Sequence, residues 1–169
     1  MSEILSWFED TEKFRAELEI GHHWELRVAY YLLCQGFVVQ VPRLRFRKNL
    51  EELPEYRDQK DIWIGKDRFH LEVKSRNLEF TSVDDFPYDT ALVDTVKGWE
   101  AKWPRPFAVV MVSQKTGERI IAPTTLQDHW QKKIRYDNYR GFEDEFYEAP
   151  KAALRNWIWL IEALRAYGE

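Results

Sequence analysis

Asp61-Ile62-Trp63-Ile64-Gly65-Lys66-Asp67-Arg68-Phe69-His70-Leu71-Glu72-Val73-Lys74 is the stretch that decides the fold. Two short apolar runs, 61–64 and 69–74, flank Gly65-Lys66-Asp67-Arg68, whose turn chemistry predicts a β-hairpin. Side chains alternate between the two faces of a strand. Ile62 and Ile64 therefore share one face, with Asp61 and Trp63 on the other; Phe69, Leu71 and Val73 oppose His70, Glu72 and Lys74. With both apolar sets turned to the core, Asp61, Glu72 and Lys74 emerge together on the far side. Two carboxylates beside an ammonium suit a hard divalent cation, because Mg²⁺ prefers oxygen ligands and keeps several waters.

Upstream, residues 11–35 read as a helix capped at Gly36. At 100° per residue Glu25 falls on the stripe formed by Leu18, Gly21, Val28, Ala29, Leu32 and Gly36. A carboxylate on an otherwise apolar stripe is costly unless it is paired or bound to metal. Residues 37–46 alternate and are rich in Val, predicting a strand that Pro42 confines to an edge or bulge. Residues 47–60 read as a polar loop. Downstream, the pattern predicts a helix over 90–102, a strand buried on both faces over 107–113, a turn at 115–118 and a short strand over 119–122. Helices are expected beyond, the last over 151–166 with Leu154, Trp157, Ile158, Ile161 and Leu164 as its apolar stripe. The expectation is one α/β domain with a mixed sheet: a core over about 11–125 and a helical C-terminal extension over about 126–169.

Composition narrows the function classes. A chain of 169 residues with 44% hydrophobic and 15% aromatic content is neither a disordered tail nor a low-complexity linker. A single cysteine, Cys34, excludes an internal disulfide and a cysteine-based zinc site. No apolar run approaches the ~20 residues of a membrane span, so no membrane association is expected. Met1-Ser2-Glu3 opens without a basic, apolar leader, which predicts a cytoplasmic protein, including one made there by a virus or mobile element. The net charge of −4 does not announce a nucleic-acid ligand, yet the charge is clustered: Arg43, Arg45, Arg47 and Lys48 form a basic run, with acids at Asp84-Asp85 and over 143–148.

Asp61, ten intervening residues, then Glu72-Val73-Lys74 resembles the PD-(D/E)XK nuclease superfamily, the restriction-endonuclease-like fold. Gly21-His22-His23-Trp24-Glu25-Leu26-Arg27-Val28-Ala29 is similar to the first helix of several of its branches. The likeness covers about 14–113 and departs at Lys60, which stands where the family's motif has proline. The resemblance implies a core of helix, three strands, helix and strand. It also implies that Glu25, Asp61 and Glu72 hold one or two Mg²⁺ or Mn²⁺ ions, with the Val73 carbonyl as a further ligand, and that Lys74 assists the nucleophilic water. The implied activity is endonucleolytic hydrolysis of DNA leaving a 5′-phosphate. Ser75 and Arg76 are candidates for steadying the DNA backbone, and Arg43, Arg45, Arg47 and Lys48 for duplex contacts.

Competing assignments are weaker. Glu100-Ala101-Lys102 repeats the tripeptide but lies in a helical stretch with no hairpin before it. Pro54-Glu55 spells the family's first motif within a polar loop, leaving Asp58 and Glu55 as substitutes for Asp61. A solvated cross-strand charge pattern would explain Glu72 and Lys74 but not Glu25. His22-His23 beside Glu25 lacks the four-residue spacing of a helical zinc pair. His70 shares the face of Glu72, within reach of a phosphate. Two other functions remain open: a non-catalytic nucleic-acid-binding or assembly protein that keeps the fold, and an RNA-cleaving enzyme. A homodimer through the C-terminal helix would suit symmetric cuts in two strands.

Overall fold

The computed structural model describes residues 2–44, 60–137 and 141–168. Helix α1 spans Ser2–Cys34 and begins well before the expected start at 11. It ends in paired bonds, Phe37 N–H to the Leu32 carbonyl at 3.2 Å and Gly36 N–H to Leu33 at 2.9 Å, the signature of a Schellman cap. Strand β1 is only Val39–Gln40, far shorter than the run 37–46, and Pro42 just beyond it has no N–H to donate to a ladder. Arg45, Arg47 and Lys48 lie outside the described residues, as do Pro54, Glu55, Asp58 and nearly all of the 47–60 loop.

The hairpin forms as expected. Strands β2 (Ile62–Ile64) and β3 (Phe69–Arg76) pair antiparallel, Ile62 opposite Leu71 and Ile64 opposite Phe69. The stretch 90–102, however, is a strand followed by a short helix, β4 (Thr90–Thr95) and α2 (Val96–Ala101). Ala91, Val93 and Thr95 are buried in alternation, a period of two that burial enforces over helical propensity. The helix starts only where the Thr95 hydroxyl accepts the Gly98 N–H at 3.0 Å. Strand β5 (Ala108–Ser113) runs parallel to β3 and is buried at every residue, as its unbroken apolar sequence predicts. Strand β6 (Arg119–Pro123) follows it.

The C-terminal portion corrects the expected helical extension. Between a 3₁₀ turn at Thr124–His129 and the last helix lie strands β7 (Gln131–Asp137), β8 (Phe142–Pro150) and β9 (Arg155–Asn156). The charges of 131–148 lie along the β7–β8 ladder instead of lining a helix, with Arg135 opposite Asp144 and its side chain reaching Glu148 at 2.6 Å. Helix α3 (Trp157–Gly168) turns Leu160, Ile161 and Leu164 to the core. Leu154 precedes the helix and Ile158 is 60% exposed, so the expected stripe is also corrected. The chain's own core covers the face that motivated a second copy.

The result is an α/β fold with a mixed sheet in the order β1-β2-β3-β5-β6-β9, and a second sheet β4-β8-β7. Helices α1 and α3 pack on one face of the larger sheet through Val28, Leu32, Ile62, Leu71, Val110 and Leu160. On the other face Val109, Met111 and Ile120 meet Trp99 of α2 and Val93 and Tyr147 of the smaller sheet. Three layers thus enclose two apolar cores.

Glu148 ties the smaller sheet together. Its carboxylate accepts Arg135 at 2.6 and 3.2 Å and Thr90 at 2.7 Å, and it lies 3.3 Å from Lys133. The Arg135 bond outweighs burial and holds the carboxyl at about 2, below its ordinary 4.5. A depressed acid adds stability above its unfolded value that is lost as pH falls through the folded one. Melting temperature should therefore fall between about pH 4.5 and 2, and Glu148→Gln should flatten that limb while starting lower at neutral pH. Thermal melts across pH 2–6 check this; an unchanged acid limb in the variant would contradict it.

Candidate active site

The hairpin register brings the site together. Ile62 pairs with Leu71, so Asp61, one residue before β2, comes level with Glu72. Its Oδ2 accepts the Val73 N–H at 2.6 Å, which ties the acid to β3 beyond the last β2 pair. A residue's N–H and C=O point to the same strand edge, so the Val73 carbonyl also faces this side. Glu25 approaches from α1, where His22 Nδ1 lies 2.9 Å from its Oε2. That contact accounts for His22, and His23 packs edge-on against Trp24 at 5.3 Å.

The charges of these groups act on one another. Burial pushes the Asp61 carboxyl well above its ordinary range, and Glu72 and then Glu25 push it further. Burial likewise raises Glu25, partly offset by His22, with Glu72 raising it more. Lys74 Nζ sits 2.7 Å from Glu72 Oε1 and 3.9 Å from Asp94. Burial alone would lower the Lys74 ammonium, but Glu72, Asp94 and Asp61 together hold it above its ordinary value. The Glu72 and Lys74 side chains are only 12% and 27% exposed, which is not a solvated charge pattern.

Two members were not legible in the sequence. Asp94 on β4 and Lys102 just after α2 meet at 2.8 Å, and Lys102 also lies 3.5 Å from Glu72 Oε1. Burial favours the neutral form of Asp94, yet Lys74 and Lys102 outweigh it and keep the carboxylate ionised. Lys102 belongs to the tripeptide that the sequence dismisses; its Glu100 instead turns outward to Lys132 and Tyr147. Close packing fixes the β4–α2 junction: a Cβ on Gly98 would come within 2.7 Å of Thr95 Oγ1 and 3.3 Å of Asp94 Oδ1. The available signal was Thr95 as an N-cap, which puts Asp94 outside the helix.

The remaining candidates disperse. Arg43 is exposed after β1. Ser75 and Arg76, neighbours on β3, face opposite ways. Ser75 accepts Gln114, and Arg76 donates to the Leu92 carbonyl at 3.2 Å. His70 is 2% exposed against Trp63, and its Nε2 has no hydrogen-bond partner among the described residues. Burial, then Lys60, lowers it to about 4, so the imidazole is neutral at physiological pH.

Among the described residues no group of three or more His, Cys, Asp or Glu side chains is placed so that it could hold a metal ion. The donor chemistry nonetheless suits one. Glu25, Asp61, Glu72 and Asp94 bring four carboxyl groups, all oxygen donors, to the ammoniums of Lys74 and Lys102. No helix among the described residues is long and apolar enough to cross a membrane. Comparison with protein-family models, with curated proteins and with solved structures finds no match.

Proposed function

We propose that this chain is a metal-dependent nuclease of the PD-(D/E)XK type, hydrolysing phosphodiester bonds in DNA. One observation carries the proposal: the Asp61 carboxyl, bonded to the Val73 N–H at 2.6 Å, is pushed up by burial and then by the charges of Glu72 and of Glu25 from the helix, and Lys74 stands 2.7 Å from Glu72. The element order supports it, with α1, then β1, β2 and β3, then α2, then β5 parallel to β3. Strand β4 is an insertion in that series, and the smaller sheet an addition to it.

Glu25, Asp61 and Glu72 would hold Mg²⁺ or Mn²⁺, with the Val73 carbonyl as a further oxygen. The ion would supply Lewis acidity toward the scissile phosphate and a bound water of lowered pKa. Lys74, still ammonium at neutral pH, cannot serve as the base; it orients the attacking water and balances the charge that builds on the phosphate oxygens. Asp94 keeps the Lys74 ammonium in place, and Lys102 neutralises Asp94. His22 steadies Glu25 in the orientation that presents its carboxylate. A second reading, a nucleic-acid-binding protein without cleavage, draws on the ion pairs that engage Glu72 and Asp94 with lysines.

Crowded carboxylates make a thermal test direct. Millimolar Mg²⁺ or Mn²⁺ should raise the melting temperature at neutral pH, since binding to the folded state alone stabilises it. Glu25→Gln keeps the shape and removes one charge. It should melt no lower than wild type without metal, respond less to metal and cleave at least about tenfold more slowly, a loss of about 1.4 kcal/mol or more in transition-state stabilisation. An unchanged metal response with full cleavage would reduce Glu25 to a structural acid.

A further inference from the structure

Beyond Lys74 on the same face of β3 lies Arg76, two residues and about 6.6 Å further along the strand. It lines a cavity of about 540 Å³ between the end of β3 and the smaller sheet, distinct from the carboxylate cluster but continuous with its face. Phe86 and Met111, both buried, belong to its apolar lining, and Tyr88 stands at its mouth, 55% exposed, with its ring 6.0 Å from that of Phe86. Arg135 and Glu148 complete its polar side.

The charge of the cavity is decided by what Glu148 neutralises. That single buried carboxylate engages Arg135 and Lys133, while Arg76 bonds the Leu92 and Ser75 carbonyls and feels the Asp94 carboxylate, which Lys102 already pairs at 2.8 Å. Two guanidiniums, Arg76 and Arg135, against the one carboxylate of Glu148 leave the lining cationic. A guanidinium carries five N–H groups, so both arginines retain donors beyond these bonds. An apolar pocket with an exposed aromatic ring and guanidinium donors matches a flat ring joined to a phosphate.

We propose that this cavity receives one unstacked nucleotide of the strand being cut, its base against Tyr88 and its phosphate on Arg76 and Arg135. The assignment deepens the nuclease reading and rests on it for the strand, though not for the nucleotide. A pocket for one base two residues from Lys74 selects substrates that are single-stranded or unpaired beside the scissile bond, because a stacked, paired base cannot enter it.

The test begins with metal-free protein in EDTA, titrated with dAMP, dCMP, dGMP, dTMP and inorganic phosphate and followed by NMR shifts. The nucleotides should saturate a site that includes Tyr88 and Arg76, and phosphate should bind at least tenfold more weakly. Tyr88→Ala should weaken nucleotide binding about tenfold or more, and Tyr88→Phe, which keeps the ring, should not. Absence of nucleotide binding, equal affinity for phosphate, or wild-type affinity in a folded Tyr88→Ala variant would each overturn the proposal. A second arm cleaves oligonucleotides carrying one abasic residue at successive positions. Loss confined to one position beside the cut is expected; cleavage indifferent to every position overturns the pocket and leaves the nuclease standing. If no substrate is cleaved, the nuclease reading fails and the titration alone decides the pocket.

Discussion

Lys74→Ala should lower DNA cleavage by roughly 10²- to 10⁴-fold while leaving the fold, the metal response and DNA affinity close to wild type. The ammonium stands beside Glu72 without being one of the oxygen donors, so its removal spares the ion's ligands. The vacated charge does not strand Glu72 either, because Lys102 lies 3.5 Å from the same oxygen. That neighbour sets the size of the effect. If Lys102 swings toward Glu72 it can restore charge balance but not the position of the water, and Lys74→Arg should recover little for the same reason. Single-turnover cleavage, with gel-shift affinity and a thermal melt on each variant, checks the expectation; full cleavage by folded Lys74→Ala would remove the lysine from the chemistry.

Trp99→Ala should be the most damaging single change to stability, at about 3–5 kcal/mol for a buried Trp truncated to Ala. Trp99 is fully buried, meets Trp130 edge-on at 5.0 Å and donates its indole N–H to Gln127 at 3.0 Å. Arg105 holds the same residue from outside, over the ring at 5.7 Å and bonded to the Trp99 carbonyl. The residue also anchors α2, the helix between Asp94 and Lys102, so loosening it should impair cleavage below the melting point as well. For a chain of this size the cost corresponds to a fall of roughly 6–20 °C. A melting temperature within about 2 °C of wild type would show that the second core tolerates the cavity.

The hairpin, the long first helix and the buried strand β5 were legible because one local period decided each. At 61–74 a period of two and a four-residue turn agree; at 108–113 an unbroken apolar run admits only a strand buried on both faces. Local pattern failed where pairing across the chain decided. Strand β4 exists because Ala91 and Thr95 pair with Ala149 and Phe146 of β8, more than fifty residues away, and no window around 90–95 contains that partner. The β7–β8 ribbon was hidden by its own charges, which read as solvated clusters until Arg135 is seen opposite Asp144 and reaching along the ladder to Glu148.

The candidate site followed the same rule. Asp61, Glu72 and Lys74 were readable from strand alternation, and Glu25 from a charge on an apolar stripe. Asp94 and Lys102 were not, because one sits on the unexpected strand and the other in a tripeptide that its helical setting argues against. A motif names residues by spacing; it does not name those that arrive from an insertion.

Incubating the wild-type chain with duplex, single-stranded and branched DNA and with RNA, each with Mg²⁺, Mn²⁺ or EDTA, tests the central claim most directly. Cleavage of DNA with either metal, abolished by EDTA and by Lys74→Ala, is the result this account predicts. A folded protein that binds these substrates yet cleaves none of them with either metal would contradict it, and would make the lysine pairs on Glu72 and Asp94 the resting state of a binding protein.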